Sequence, residues 1–240
     1  MLKVFESEQL VAQAIVDEME AALNIEEPVY CLASGSTPSK GYALFAKQIQ
    51  NDPRLEKLKI VSLDEWVGVE QGNVGSCYQM LNQDLFSKIA LKEDQVIFYD
   101  GTVSNLKEEC QRIDDFIKKI PITFSLMGVG MNGHVGLNEP DFPVLDHSSV
   151  VELSETTKIV AQKYFNKQIV LKYGITLGLH QIVDSKRVIV VITGSHKAEI
   201  VKDIFMNNDV RVPAEELLGY DHIDFYLDKA AAKYLDERLM

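Results

Sequence analysis

The sequence predicts an α/β fold with a parallel sheet, in a single domain that spans residues 1–240. Short apolar runs alternate with segments whose apolar residues recur at helical spacing, and this alternation is typical of parallel strands joined by right-handed crossover helices. The chain is also large enough: 240 residues, 46% of them hydrophobic, can bury a sizeable core. No linker, low-complexity tract or repeat divides it.

The first elements follow from apolar spacing and from turn residues. A helix is predicted over Glu8–Leu23, where apolar residues recur at helical spacing and acids occupy the other face. The apolar run Pro28–Ala33 is typical of a central strand, and a helix is predicted after it over Pro38–Gln48, with Thr37 as its N-cap. The next predicted elements are a strand at Lys59–Leu63, a loop at Gly72–Cys77, a helix at Tyr78–Ile89, a strand at Asp94–Tyr99, a crossover helix at Asn105–Ile120 and a strand at Ile122–Met127.

The segment Met127–Pro143 is predicted to be an irregular loop. Its glycines Gly128, Gly130 and Gly133 satisfy the G-x-G-x-x-G pattern of dinucleotide sites. That pattern requires a helix that begins at the third glycine, and the two prolines that follow within ten residues disfavour one. We therefore expect no nucleotide cofactor here.

The rest of the chain returns to the alternation. A strongly β-branched strand is followed by a turn of small polar residues and by a helix with a buried apolar face. In order, the predicted elements are a strand at Ser148–Leu153, a helical or irregular segment at Thr156–Phe165, a short helix at His180–Val183, a strand at Arg187–Ile192, a helix at Ala198–Phe205, a strand at Ile223–Leu227 and a last helix at Asp228–Leu239.

Composition excludes several classes of function. The net charge of −12 argues against nucleic acid as a general partner, because duplex binding depends on neutralising phosphates. Met1–Val11 lacks the layout of a signal peptide, and no apolar run approaches the roughly 18 residues of a membrane span. Cys31, Cys77 and Cys110 are too widely spaced to suggest a disulfide framework or a zinc cage. We expect a reduced, cytoplasmic protein without a metal.

Small polar turns follow two of the predicted strands. The turn Ser34–Thr37 precedes a helix, whose free N–H groups and dipole favour an anion such as phosphate; a simple tight turn is the alternative. Lys197 follows the second turn and lies in the first turn of its helix, where a cation is disfavoured unless an anion binds beside it. Solvated lysine is the alternative there.

Acidic residues and a histidine supply the candidate chemistry. Asp64 and Glu65 end a strand, and because side chains alternate only one of them can face inward as a base; a surface pair is the alternative. Glu139 is five residues from His134 and could fix its tautomer, whereas a capping or packing histidine is the alternative. The carboxyl ends of parallel strands meet at one crevice. Together these residues indicate proton transfer on a phosphorylated small molecule.

Four motifs follow one another over nearly the whole chain: Ser34–Pro38, Leu63–Val67, Gly128–His134 with Asn138–Pro140, and Gly194–Lys197. Their order and composition resemble the glucosamine-6-phosphate deaminase/isomerase family. Three stretches favour its galactosamine-6-phosphate branch: Leu-Asp-Glu-Trp-Val, Gly-His-Val-Gly-Leu-Asn-Glu-Pro and Gly-Ile-Thr-Leu-Gly-Leu.

The resemblance implies a Rossmann-like, mostly parallel sheet with helices on both faces, no nucleotide and no other cofactor. The implied reaction opens the ring of a hexosamine 6-phosphate, isomerises the aldose to a ketose and releases ammonia. Asp64 would move a proton between C2 and C1, and His134, oriented by Glu139, would assist ring opening. The phosphate would be held by residues Ser34, Gly35, Ser36 and Thr37 with Lys197, and by Lys163 where an arginine is usual.

Two departures from the family pattern shape the remaining expectations. Asn132 stands where many glucosamine-type members have aspartate, so His134 is expected to feel one carboxylate fewer. Asp141–Val150 has no basic residue except His147, where the glucosamine branch is arginine-rich, so we expect no allosteric control. The alternatives are glucosamine-6-phosphate deaminase, 6-phosphogluconolactonase and, as a non-enzyme, a sugar-phosphate-sensing regulator. The partner is a phosphosugar, and a homo-oligomer is left open.

Overall fold

A seven-stranded parallel sheet forms the centre of the molecule, in the order β1-β10-β9-β6-β2-β3-β5, with a three-stranded antiparallel sheet β4-β8-β7 beside it. We describe residues 1–89, 91–140, 142–206 and 211–239 from a computed structural model. Within them the strands are β1 (Leu2–Phe5), β2 (Val29–Leu32), β3 (Lys59–Ser62), β4 (Asp64–Trp66), β5 (Val96–Ile97), β6 (Phe124–Gly128), β7 (Ser149–Glu152), β8 (Tyr173–Thr176), β9 (Val188–Ile192) and β10 (Ile223–Asp228).

Helices cover both faces of the large sheet. Tyr30 and Leu32 of β2 lie on the sheet face that is covered by the first two helices, whereas Val29 and Cys31 lie on the opposite face. This alternation follows from the two-residue period of a strand. The described helices are α1 (Glu8–Ala22), α2 (Ser36–Gln48), α3 (Cys77–Asp84), α4 (Leu106–Lys119), α5 (Glu155–Ala161), α6 (Leu179–Val183) and α7 (Ala198–Met206). The predicted α/β class, with a mostly parallel sheet, is confirmed.

The predicted last helix, Asp228–Leu239, is wrong. Residues 229–234 form consecutive turns, and Glu237–Leu239 is a single 3-10 turn. The backbone N–H of Lys229 donates to the carbonyl oxygen of Phe5 at 2.9 Å, so the chain is still paired with β1 where the helix was predicted to begin. Further on, the backbone N–H of Leu235 donates to the carbonyl oxygen of Ala232, three residues back, which is a turn and not the four-residue repeat of an α-helix.

Several elements differ from the sequence prediction in smaller ways. Helix α3 ends at Asp84 and gives way to a 3-10 turn at Phe86–Lys88, so the predicted helix Tyr78–Ile89 is too long. Strand β1 and strands β4 and β8 of the small antiparallel sheet are absent from the prediction, whereas β7 lies within the predicted strand Ser148–Leu153. The loop after β6 contains no helix among its described residues, as expected; Asp141 within it lies outside them. None of the described helices has the length and apolar character needed to cross a membrane.

Candidate active site

A cavity of about 350 Å³ opens where β2, β3, β6 and β9 end. Because these strands are parallel, the segments that follow them meet at one edge of the sheet. Helix α5 and the turn after it close another side of the cavity. Eight of the ten residues singled out from the sequence line it, namely Ser34, Gly35, Ser36, Thr37, Asp64, His134, Lys163 and Lys197. The other two, Asn132 and Glu139, lie behind His134.

The turn after β2 brings the start of α2 to the cavity. The helix begins at Ser36 with Gly35 as N-cap, so the predicted cap at Thr37 is wrong by two residues. Gly35 has φ of 104°, a left-handed conformation that glycine adopts without strain, and this lets the chain pass at once from strand to helix. A Cβ on Gly35 would also lie 2.9 Å from the hydroxyl oxygen of Tyr164. The turn is therefore closely packed against the segment after α5.

Two lysines give this end of the cavity a positive charge. Lys197 is only 9% exposed, and its Nζ donates to the carbonyl oxygen of Val129 at 2.6 Å. Burial, and to a smaller extent the charge of Lys163, lowers the pKa of Lys197 to about 8. Lys163 itself lies over the ring of Tyr164, with Nζ 4.8 Å from the ring centroid. Among the described residues neither lysine forms a salt bridge, so their charge is free to meet an anion.

Asp64 and Glu65 are both buried but have different surroundings. Asp64 faces the cavity; burial raises its pKa to about 6, against hydrogen bonding from the Cys77 thiol and the charge of His134. Glu65 is fully buried and accepts the backbone N–H groups of Trp66, Cys77 and Tyr78 at 2.8 to 3.0 Å. Glu65 thus holds the start of α3 against β4. The alternative of a surface carboxylate pair is wrong.

His134 and Glu139 are joined by a set of short polar contacts. The Nδ1 of His134 lies 3.6 Å from Oε2 of Glu139, within ion-pair range, and 3.1 Å from the hydroxyl oxygen of Thr157. Glu139 also accepts from Nδ2 of Asn132 at 2.8 Å and from the backbone N–H of Ser154 at 3.2 Å. Burial alone would raise the pKa of Glu139, but hydrogen bonding led by His134 lowers it to about 2.

The side-chain amide of Asn132 donates hydrogen bonds that the carboxylate of an aspartate could not donate. Its Nδ2 donates both to Glu139 and, at 3.1 Å, to the hydroxyl oxygen of Ser154. A carboxylate at this position would repel Glu139 instead. The backbone at Gly130 lies close to the His134 ring, since a Cβ added to Gly130 would lie 2.3 to 2.5 Å from atoms of that ring. Gly130 therefore limits where this ring can lie, and Asn132 holds the carboxylate beside it.

Sequence reasoning missed Cys77, Ser154 and Thr157. Thr157 contacts His134 across 23 positions of the chain, and no local pattern predicts a contact of that separation. Ser154 does carry a local signal, since it caps α5 by accepting from the backbone N–H of Thr157. That signal indicates where a helix begins, but not that its cap borders a cavity.

Comparison with known proteins gives the family. A family model described as glucosamine-6-phosphate isomerases/6-phosphogluconolactonase matches residues 5–222. The chain belongs to this family. It is 30% identical over 216 residues to a glucosamine-6-phosphate deaminase of Bacillus cereus (strain B4264), a match that covers 89% of this chain and 80% of the relative. A glucosamine-6-phosphate deaminase of Bacillus thuringiensis is 29% identical over the same length. The family member described here is thus an enzyme of the glucosamine-6-phosphate deaminase type.

Solved structures agree with this assignment. A monomeric glucosamine-6-phosphate deaminase superposes with a TM-score of 0.90 and 26% identity, over 97% of this chain and 98% of that chain. The 6-phosphogluconolactonase of Thermotoga maritima has a TM-score of 0.74 and 20% identity, over 95% of this chain and 98% of its own. The second likeness shows a shared fold alone.

Proposed function

We propose that this family member isomerises and deaminates a hexosamine 6-phosphate, with galactosamine 6-phosphate as the preferred substrate. The products would be tagatose 6-phosphate and ammonia. One observation carries the proposal: a buried carboxylate, a histidine backed by a second carboxylate, and two lysines that form no salt bridge with any residue the structure describes all border one cavity. An acid–base pair beside an anion site is what proton transfer on a phosphosugar requires.

Each group in the cavity has a step that fits its surroundings. His134 would take the proton of the C1 hydroxyl while the bond from C1 to the ring oxygen breaks, and return it to that oxygen. Asp64 would then remove the C2 proton and deliver it to C1, while a proton of the amino group passes to O1, so that C1 becomes a hydroxymethyl carbon and C2 an imine carbon. The pKa of Asp64, raised to about 6, still leaves it ionised at neutral pH while making it a stronger base than an exposed aspartate. Addition of water at C2 would release the nitrogen as ammonia and leave the ketose.

The substrate phosphate would lie between Lys197, Lys163 and the start of α2. Burial is the main cause of the lowered pKa of Lys197 and the charge of Lys163 is the second, so a bound dianion would favour the charged form of both lysines. The free N–H groups at a helix start favour the same charge. Lysine is a point charge without the bidentate geometry of arginine, so this site would bind phosphate through charge more than through orientation.

The preference for galactosamine rests on sequence motifs that border the cavity. Leu63, Asp64 and Trp66 of the first motif line it, as do Gly136 and Leu137 of the second. The third motif is attached to the second through Thr176, whose hydroxyl oxygen accepts from the backbone N–H of Leu137 at 3.1 Å. The competing substrate is glucosamine 6-phosphate, since the relatives given above are named for that activity.

The proposal is tested by ammonia release from galactosamine 6-phosphate and glucosamine 6-phosphate in parallel. We expect a higher kcat/KM with the galactosamine substrate; the reverse order would reassign the enzyme to glucosamine. Silence on both would refute the deaminase proposal, and a third assay with 6-phosphogluconolactone would then test the lactonase alternative. Light scattering on the same sample would test for a homo-oligomer, given that the similar deaminase of known structure is described as monomeric.

A further inference from the structure

The hydroxyl group of Tyr164 lies against the turn that begins α2. A Cβ placed on Gly35 would be 2.9 Å from the hydroxyl oxygen and 3.6 Å from the ring carbon that carries it. Tyr164 lines the cavity, and its hydroxyl has no hydrogen-bond partner among the residues that the structure describes. A polar group with unused hydrogen-bonding capacity therefore borders the end of the cavity where the two lysines lie.

Neighbouring side chains hold the segment that carries this hydroxyl. The side-chain amide of Gln162 donates to the carbonyl oxygens of Lys158 at 3.2 Å and Ile169 at 3.0 Å, and its oxygen accepts from the backbone N–H of Ile169 at 3.1 Å. The ring of Phe165 packs on Gly75, where an added Cβ would lie 2.5 Å from it. The position of the hydroxyl is thus set by the packing of its segment and not by a partner of its own.

The Tyr164 hydroxyl does not cap α2. The N-cap of that helix is Gly35, and no side chain accepts from its first N–H groups. A capping hydroxyl would accept from the backbone N–H of Ser36 or Thr37, and no such bond is present in the described part of the chain. These N–H groups and the Tyr164 O–H border the same cavity, and all of them can donate to one anion.

We propose that the Tyr164 hydroxyl donates a hydrogen bond to the phosphate of the substrate. The inference rests on the proposed function and adds a binding residue to it. Lys163 lies over the same ring, with its Nζ 4.8 Å from the centroid, so one side chain both positions a charge and supplies a donor. A hydroxyl on a rigid ring gives the phosphate site the direction that a lysine ammonium lacks.

The substitution Tyr164→Phe isolates the hydroxyl group, because the ring remains to pack on Gly35 and to support Lys163. A hydrogen bond to a charged group is strong enough to change a dissociation constant by roughly 10- to 100-fold. Tyr173→Phe is the matched control. Lys172 lies over that ring as well, with its Nζ 5.0 Å from the centroid, but Tyr173 is not one of the described residues that line the cavity.

The first test measures phosphate binding and needs no turnover. Inorganic phosphate is titrated into the unaltered protein and each variant, and calorimetry gives the dissociation constant. We expect about a tenfold or larger increase for Tyr164→Phe and no change for Tyr173→Phe. Lys197→Met should also weaken binding, which places the bound phosphate in the cavity. The inference is overturned if Tyr164→Phe binds phosphate as tightly as the unaltered protein, if Lys197→Met does so, or if the unaltered protein binds none.

The second test measures ammonia release from galactosamine 6-phosphate. Tyr164→Phe should raise KM by about tenfold or more with little change in kcat, since the phosphate is bound alike in the ground state and the transition state. A lower kcat at unchanged KM would assign the hydroxyl to the reacting end of the sugar and overturn the inference. An unaltered protein that releases no ammonia refutes the proposed function alone, because phosphate binding still decides the inference.

Discussion

Replacing Asp64 by asparagine is expected to stabilise the fold while it removes the activity. Burial raises the pKa of Asp64 from 3.8 to about 6, so its ionised form is less favourable in the folded chain than in the unfolded chain. Asparagine has nearly the same shape, and its Oδ1 can still accept from the Cys77 thiol. The substitution therefore removes the cost of a buried charge without opening a cavity. Stability given up at a reactive group is a common property of active sites.

The sign and size of the effect follow from the pKa. Between pH 3.8 and about 6 the folded chain keeps a proton that the unfolded chain has lost, so the free energy of unfolding decreases as pH rises through this window. Above about pH 6 the buried charge of Asp64 lowers the free energy of unfolding by its full amount, up to about 3 kcal/mol. The Asp64→Asn variant should gain that amount near about pH 8 and little near about pH 4. At about pH 8 its melting temperature should rise by about 6–12 °C.

Urea unfolding across this pH range measures the free energies. Asp224→Asn is the matched control, because burial alone would raise the pKa of Asp224 but hydrogen bonds led by that from Arg187 lower it to about 2. The ionised Asp224 carboxylate stabilises the fold above pH 3.8, and this stabilisation is lost as the pH falls toward about 2. Removing the carboxylate should therefore destabilise the fold at about pH 8. Replacing aspartate by asparagine should thus raise the free energy of unfolding at position 64 and lower it at position 224. Loss of ammonia release by about 10²-fold or more is expected of Asp64→Asn alone.

Two results would refute this reasoning. If Asp64→Asn were no more stable than the unaltered protein at any pH, the carboxylate would not be desolvated in the folded state. If the variant kept most of its kcat, Asp64 would not be the base. Binding of the phosphosugar, measured by calorimetry, should be nearly unchanged, because the base acts on carbon and not on phosphate.

Two further outcomes are expected. The pH profile of kcat/KM should be bell-shaped, decreasing below about pH 6 as Asp64 is protonated and above about pH 8 as Lys197 loses its charge. Lys197→Met should raise KM and remove the alkaline limb; a limb that persists would belong to another group, such as the amine of the substrate. Gly130→Ala should lower kcat by about tenfold or more, because the added Cβ would meet the His134 ring, whereas Gly128→Ala adds a Cβ with no atom within 4 Å. Equal ammonia release by the two glycine variants would contradict that explanation.

The main sheet could be predicted because its signals are local. The parallel strands other than β1 each contain an apolar run, and crossover helices such as α1 and α4 have their own apolar period. The antiparallel sheet has no such signal, since β4 is only three residues long and pairs Asp64 with Thr176 from a distant part of the chain. The prediction of the last helix is wrong for a related reason: Lys229 is still paired with Phe5 of β1, a contact between distant parts of the chain.

The sequence by itself determined which residue types are available for chemistry and that they follow parallel strands, because strand ends and motifs are local patterns. Only the tertiary structure decided how those residues act together. It turns Asp64 to the cavity and Glu65 into the core, and it brings the hydroxyl oxygen of Thr157 to 3.1 Å from Nδ1 of His134. Burial and hydrogen-bond partners set the pKa of a side chain, and both depend on groups that meet only when the chain is folded.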